Sequence, residues 1–82
     1  MIRGKDACCN YLADLGHLLK EDAVAAKRDS DAARSGEDAA FARGRSLAYY
    51  EVISLLQQQA WVFGIPLEEI NLADINPDRD LI

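Results

Sequence analysis

What the chain lacks narrows its chemistry quickly. It has a single histidine, His17, and two cysteines, Cys8 and Cys9, adjacent in sequence. Neighbours on a helix point about 100° apart, so these two do not readily bond each other, and no disulfide framework exists. No apolar run approaches the ~18 residues a membrane span needs, and the amino terminus MIRGKDACCNYLADLG has no signal-peptide core or cleavage pattern. A reduced, cytoplasmic protein without membrane contact is the expectation. Phosphate-binding glycine patterns, zinc spacings and Ser-His-Asp arrangements are absent as well.

Basic charge is also scarce, with nine Lys and Arg against fourteen Asp and Glu, a net charge of −5. That argues against a general nucleic-acid binder, which needs a basic surface for phosphate. The acidity sits in residues 64–82, where Glu68, Glu69, Asp74, Asp78 and Asp80 face only Arg79. Solubility accounts for this tail more economically than a basic partner does.

What the chain has is helix. No proline interrupts Asp6 to Arg34, and Cys8, Tyr11, Leu12, Leu15, Leu18, Leu19, Ala26 and Ala33 recur at spacings of three and four. Asp6 is a candidate N-cap, and Met1 to Lys5 reads as a lead-in broken by Gly4. Ser35-Gly36 is a turn, followed by Glu37 and Asp38 at the positive end of a second helix. Two long helices joined this tightly must run antiparallel. Pairing about the turn brings Leu15, Leu18 and Leu19 to Val52, Leu55 and Leu56, with small residues opposed near the tip.

The second helix, residues 37–63, carries a broader apolar arc than one partner helix covers. Phe41, Val52 and Gln59 mark its middle, with Arg45 also inside it, while Ser46, Leu47, Tyr50, Gln57 and Trp61 occupy the remaining side. Arg45 is expected near Asp22 and Asp29 as a partly buried ion pair that fixes register. Gly64 ends the helix, Pro66 opens a short new one, residues 71–75 could make another turn, and Asn76-Pro77-Asp78 turns the chain. Seven large apolar residues in the tail predict that it folds back over the open end, covering part of the Trp61 and Phe63 region.

The prediction is therefore one all-α domain over 1–82: helix 6–34, turn 35–36, helix 37–63 and a short helical tail 64–82. The uncovered arc predicts that two copies pair as a homodimeric four-helix bundle. Leu47, Tyr50, Trp61, Phe41 and Gln59 are the interface candidates, and loss of Tyr50 or Trp61 should weaken self-association.

Groups that could carry chemistry have plainer readings. Asp14, His17 and Glu21 share a helix face opposite the leucines and should be solvated, unlike the inward Glu-x-x-His pairs of di-iron bundles. Glu51 reads as an edge ion pair with Lys20, and Cys8 as a small core residue with no base to activate it. Lys27, Arg28, Arg34, Arg43 and Arg45 gather near the hairpin tip among carboxylates, as on a mixed-charge helix surface. No catalytic, metal or cofactor site is assigned, and a non-enzymatic regulatory or adaptor module with an unidentified protein partner is the expected function. A ligand- or metal-binding bundle using Glu51, Glu21 or His17 is the alternative, followed by a nucleic-acid-associated regulator using the basic tip.

Overall fold

Gly36 and Gly64 both take positive φ, at 81° and 68°, and these two glycines divide the chain. The computed structural model describes residues 4–82, with side chains from Asp6 onward. Among the described residues the fold is all-α: α1 spans Gly4–Ala32, α2 spans Gly36–Val62, a 3-10 turn spans Leu67–Ile70, and α3 is one turn, Pro77–Asp80. Helices α1 and α2 pack as an antiparallel hairpin, and the tail returns across one side of it. Among the described residues no helix is long and apolar enough to cross a membrane.

The terminators behave as their chemistry requires. Beyond α2, the Gly64 amide donates to the Trp61 carbonyl at 3.1 Å and the Ile65 amide to the Ala60 carbonyl at 2.8 Å. That pair of bonds closes the helix with glycine in the left-handed position. Ser35 is extended before α2 but makes no side-chain cap bond. At the amino end Gly4 is helical rather than a breaker, so Asp6 lies within the first turn and is not the cap. Residues 1–3 of the expected lead-in fall outside the described residues.

The packed seam of α2 differs from the expected one. Its buried residues are Ala39, Ser46, Ile53 and Ala60, spaced seven apart. On α1 the buried positions are Gly16, Ala23 and Ala26, with Leu19 half-buried beside them. A seven-residue repeat is the spacing that keeps one seam facing a partner helix. Small residues at most of these positions let the two backbones lie close together. Ser46, expected on the polar side, is buried for that reason, whereas Phe41, Val52 and Leu55 remain exposed at 74%, 40% and 56%. Leu18, expected against them across the seam, is exposed as well, and only Leu19 and Leu56 pack on the core.

The large core residues come from the tail. Leu72, Ile70, Ile75 and Leu81 bury against Ala23, Ile53 and Ala60. Ile53 and Leu72 are the largest side chains wholly removed from water, each contributing about 2–3 kcal/mol of apolar burial. Residues 71–75 make no helix; Asn71 takes a left-handed conformation, at φ 60°, and the chain turns again at Ala73 and Asp74.

The tail lies over the middle of the hairpin rather than its open end. Trp61 and Phe63, expected beneath it, are 83% and 73% exposed. Cys8, expected in the core, is exposed.

Candidate interaction surfaces

The tail is fixed to the hairpin by polar contacts as specific as its apolar ones. Gln57, which the sequence places on the polar side, is half-buried and donates from Nε2 to two tail carbonyls, Leu72 at 3.1 Å and Ile75 at 2.9 Å. Asn71 Nδ2 donates to the Ala13 carbonyl at 2.8 Å, and Lys20 Nζ to Asp74 Oδ1 at 2.7 Å. The hydroxyl of Tyr50 donates to Asp78 Oδ1 at 2.5 Å. Asn76 and Asp80 cap α3 reciprocally, the Asn76 amide donating to Asp80 Oδ2 and the Arg79 amide to Asn76 Oδ1.

These contacts shift the groups involved. Arg79, paired with Asp80 at 2.8 Å, together with the Asn76 amide, lowers the Asp80 carboxyl to about 2. Lys20 lowers Asp74, and the bond to the Asp78 carboxylate raises the Tyr50 phenol above its ordinary value. The Asp74 and Tyr50 shifts favour the protonation states in which the tail is attached, and the Asp80 shift the one that holds the α3 turn.

Gly16 is where the tail comes closest. A Cβ there would lie 1.8 Å from the Ile70 carbonyl oxygen, a distance no side chain can occupy. Glycine inside a helix costs about 1 kcal/mol relative to alanine, and here the cost has a clear return, since the tail backbone sits where a methyl would be. Sequence reasoning missed Gly16, Ser46 and Gln57; the mid-helix glycine was the one available signal.

Gly44 is the second mid-helix glycine, and nothing within 4 Å would meet its Cβ. It lies on the side of the hairpin away from the tail. On α2 that side carries Phe41, Gly44, Ala48, Val52, Leu55, Gln59 and Val62, all exposed. On α1 it carries Tyr11, Leu15, Leu18, Asp22, Ala25 and Asp29, of which only Leu15 and Ala25 are half-buried. Phe41, Ala48, Leu55 and Val62 are spaced by sevens, as are Tyr11, Leu18 and Ala25. The hairpin thus has a buried seven-residue repeat on each helix and an exposed one that meets no partner among the described residues.

The polar positions on this open side differ from expectation. Gln59, expected within a buried stripe, is exposed. Arg45 Nη1 reaches Asp29 Oδ2 at 3.7 Å, a single long contact with both side chains substantially exposed, and Asp22 takes no part in it. Arg45 also lies over the Tyr49 ring, 5.4 Å from its centroid.

The five interface candidates divide between two sides. Phe41 and Gln59 belong to the open side, whereas Leu47 and Trp61 face outward on another side of α2 and Tyr50 is half-buried against the tail. Trp61 borders an open groove of about 820 Å³ between α2 and the tail, whose walls include Tyr50, Gln57, Ile75, Pro77 and Arg79.

The other chemically suggestive residues do not converge. His17 Nε2 lies 2.9 Å from Glu21 Oε1 one turn away, both half-exposed, and Asp14 is exposed. Glu51 is exposed, and Lys20, its expected partner, pairs instead with Asp74, which the folded-back tail brings nearer. Among the described residues no three His, Cys, Asp or Glu side chains group as metal ligands would. Near the tip Lys27 pairs with Asp31 at 2.7 Å, so the basic residues there are interleaved with carboxylates.

The class defined by these observations is an all-α hairpin with one side closed by its own tail. Compared with protein-family models, curated proteins and solved structures, the chain matches none.

Proposed function

We propose that the protein is a non-enzymatic, self-associating helical interaction module of regulatory or adaptor type. Two copies join through the open side of the hairpin into a four-helix bundle. The Trp61 groove then remains outward on each copy for a different protein. The observation that carries the reading is the exposed repeat of Phe41, Ala48, Leu55 and Val62, with Tyr11 and Leu18 beside it, opposite the side that the tail covers. Exposed apolar patches of this kind mark interaction surfaces.

Size and charge support a second copy as the occupant. Two helices side by side present roughly 40 by 20 Å, about the 800 Å² per partner that a stable interface buries. The Cα atoms span 50 × 25 × 16 Å, so the hairpin and its tail form a slab with room for one more helical layer against the bare side. The open side carries both signs of charge, Asp22 and Asp29 with Arg45, and is therefore able to complement itself.

Sedimentation equilibrium across concentrations tests this reading. Leu55→Gln and Val62→Gln should weaken self-association more than about tenfold each, as truncating central apolar contacts does, while Trp61→Ala leaves it unchanged. A native chain that stays monomeric at all concentrations contradicts the proposal.

A further inference from the structure

Resting on that reading, we infer how the two copies sit: open end beside open end, α1 of each copy lying across α2 of the other. Gly44 is then the point of closest backbone approach, and Arg45 stands opposite Asp29 of the second copy. A two-fold axis parallel to the helices produces this arrangement, and every neighbouring pair of helices in the bundle is antiparallel.

Two independent observations lead here. The first is Gly44. Gly16, the other mid-helix glycine lacking positive φ, is explained inside the chain, where the tail backbone occupies the space of its missing Cβ. Gly44 carries the same helix penalty with empty space above it and sits on the exposed repeat between Phe41 and Ala48. A helix crossing from outside accounts for it. Ala25 and Ala32 lie at the corresponding height on α1, so the second copy meets Gly44 with small residues and its backbone approaches closely.

The second observation is the order of charges. Along the hairpin, the open-end half of this side is mainly apolar, with Tyr11, Leu15, Leu18, Leu55 and Val62 beside Gln59, and the charged residues Asp22, Asp29 and Arg45 lie toward the tip with Phe41. Turning a second copy end over end lays α1 on α1 and sets the charged residues toward the tip, Asp22, Asp29 and Arg45, against the open-end half with its large apolar residues. The open-end-to-open-end arrangement instead lays large apolar residues on one another. It also gives each Arg45 a second carboxylate, since its contact within the chain is long and exposed. Charge pairs that oppose each other across a closed interface select orientation even where they add little affinity.

The test uses the full chain and two single variants. Arg45→Glu and Asp29→Lys should each self-associate more weakly than the native chain, because each sets like charges together within and between copies. Mixed one to one and followed by native mass spectrometry, they should form the heterodimer well above the half that random pairing gives, since both cross-copy pairs are then opposite in sign. Random pairing in a mixture whose native counterpart is dimeric overturns this orientation and leaves the self-associating module standing. A native chain that is monomeric throughout overturns both. Gly44→Ala supplies a second, uncharged test: the diluted chain should melt no lower than native, while dimer dissociation becomes at least about tenfold easier. Unchanged dimer affinity in Gly44→Ala overturns the close approach.

Discussion

The two broad sides of this hairpin are built from similar material and end differently. Both run the length of α1 and α2, and each carries a mid-helix glycine. One side is occupied: Ile70, Leu72, Ile75 and Leu81 lie on it, the Ile70 carbonyl rests on Gly16, and Gln57 holds two tail carbonyls. The other keeps Phe41, Val52, Leu55 and Val62 in water. A single helical layer has two sides, and this tail is long enough to close one. The comparison shows what a covering segment looks like when it is present, and hence what the bare side lacks.

The largest effect expected from breaking the occupied side is at Gly16. Gly16→Ala puts a methyl on the Ile70 carbonyl, so the tail must lift or the helices must part. Despite the gain in helix propensity, we expect a loss of about 3 kcal/mol, the upper range for overpacking, visible as a fall of at least about 10 °C in melting temperature. The next effect belongs to Gln57→Leu. It keeps the bulk and removes the donor to the Leu72 and Ile75 carbonyls, at a cost of about 2 kcal/mol measurable by urea denaturation.

Acid should loosen the same side more gently. Asp80 and Asp74 are held below their ordinary values by Arg79 and Lys20, so both carboxylates bind protons more readily in the unfolded chain. Their contribution is therefore fully present above about pH 4, the ordinary carboxylate range, and fades as pH falls toward about 2. Melting temperatures recorded between pH 5 and pH 2.5 should fall, and less so in Lys20→Ala, which has already lost the Asp74 pair. The smallest effect on folding is expected on the bare side. Leu55→Ser should shift the stability of the diluted chain by no more than about 0.5 kcal/mol, because that residue has so little to lose within the monomer. Its consequence should appear only in self-association.

Much of this organisation is legible in the amino-acid order, and the limits have physical causes. The turn at Gly36, the stop at Gly64 and the return of an apolar tail all follow from backbone chemistry and hydrophobic content. The phase of the α2 seam does not. A helical wheel weights Phe41, Val52 and Leu55 by size, whereas the packing chooses Ala39, Ser46, Ile53 and Ala60, about a third of a turn away, because small residues let α1 come close. The apolar arc is broader than α1 covers, and which portion meets α1, the tail or water is decided by tertiary fit. Gln57 and Ser46 escape notice for the same reason, since their burial depends on segments distant in sequence. Of the residues expected at an interface, Phe41 and Gln59 share the open side whereas Trp61 and Leu47 lie on a different one, a separation that only the position of the tail reveals.

The most direct measurement is hydroxyl-radical footprinting of the native chain at rising concentration, read at Tyr11, Phe41 and Trp61 together. All three are well exposed in the single chain, at 67%, 74% and 83%. The account predicts that Tyr11 and Phe41 become protected as concentration rises while Trp61 stays reactive. Tyr11 and Phe41 remaining fully reactive at every concentration, or Trp61 being protected in their place, would contradict it.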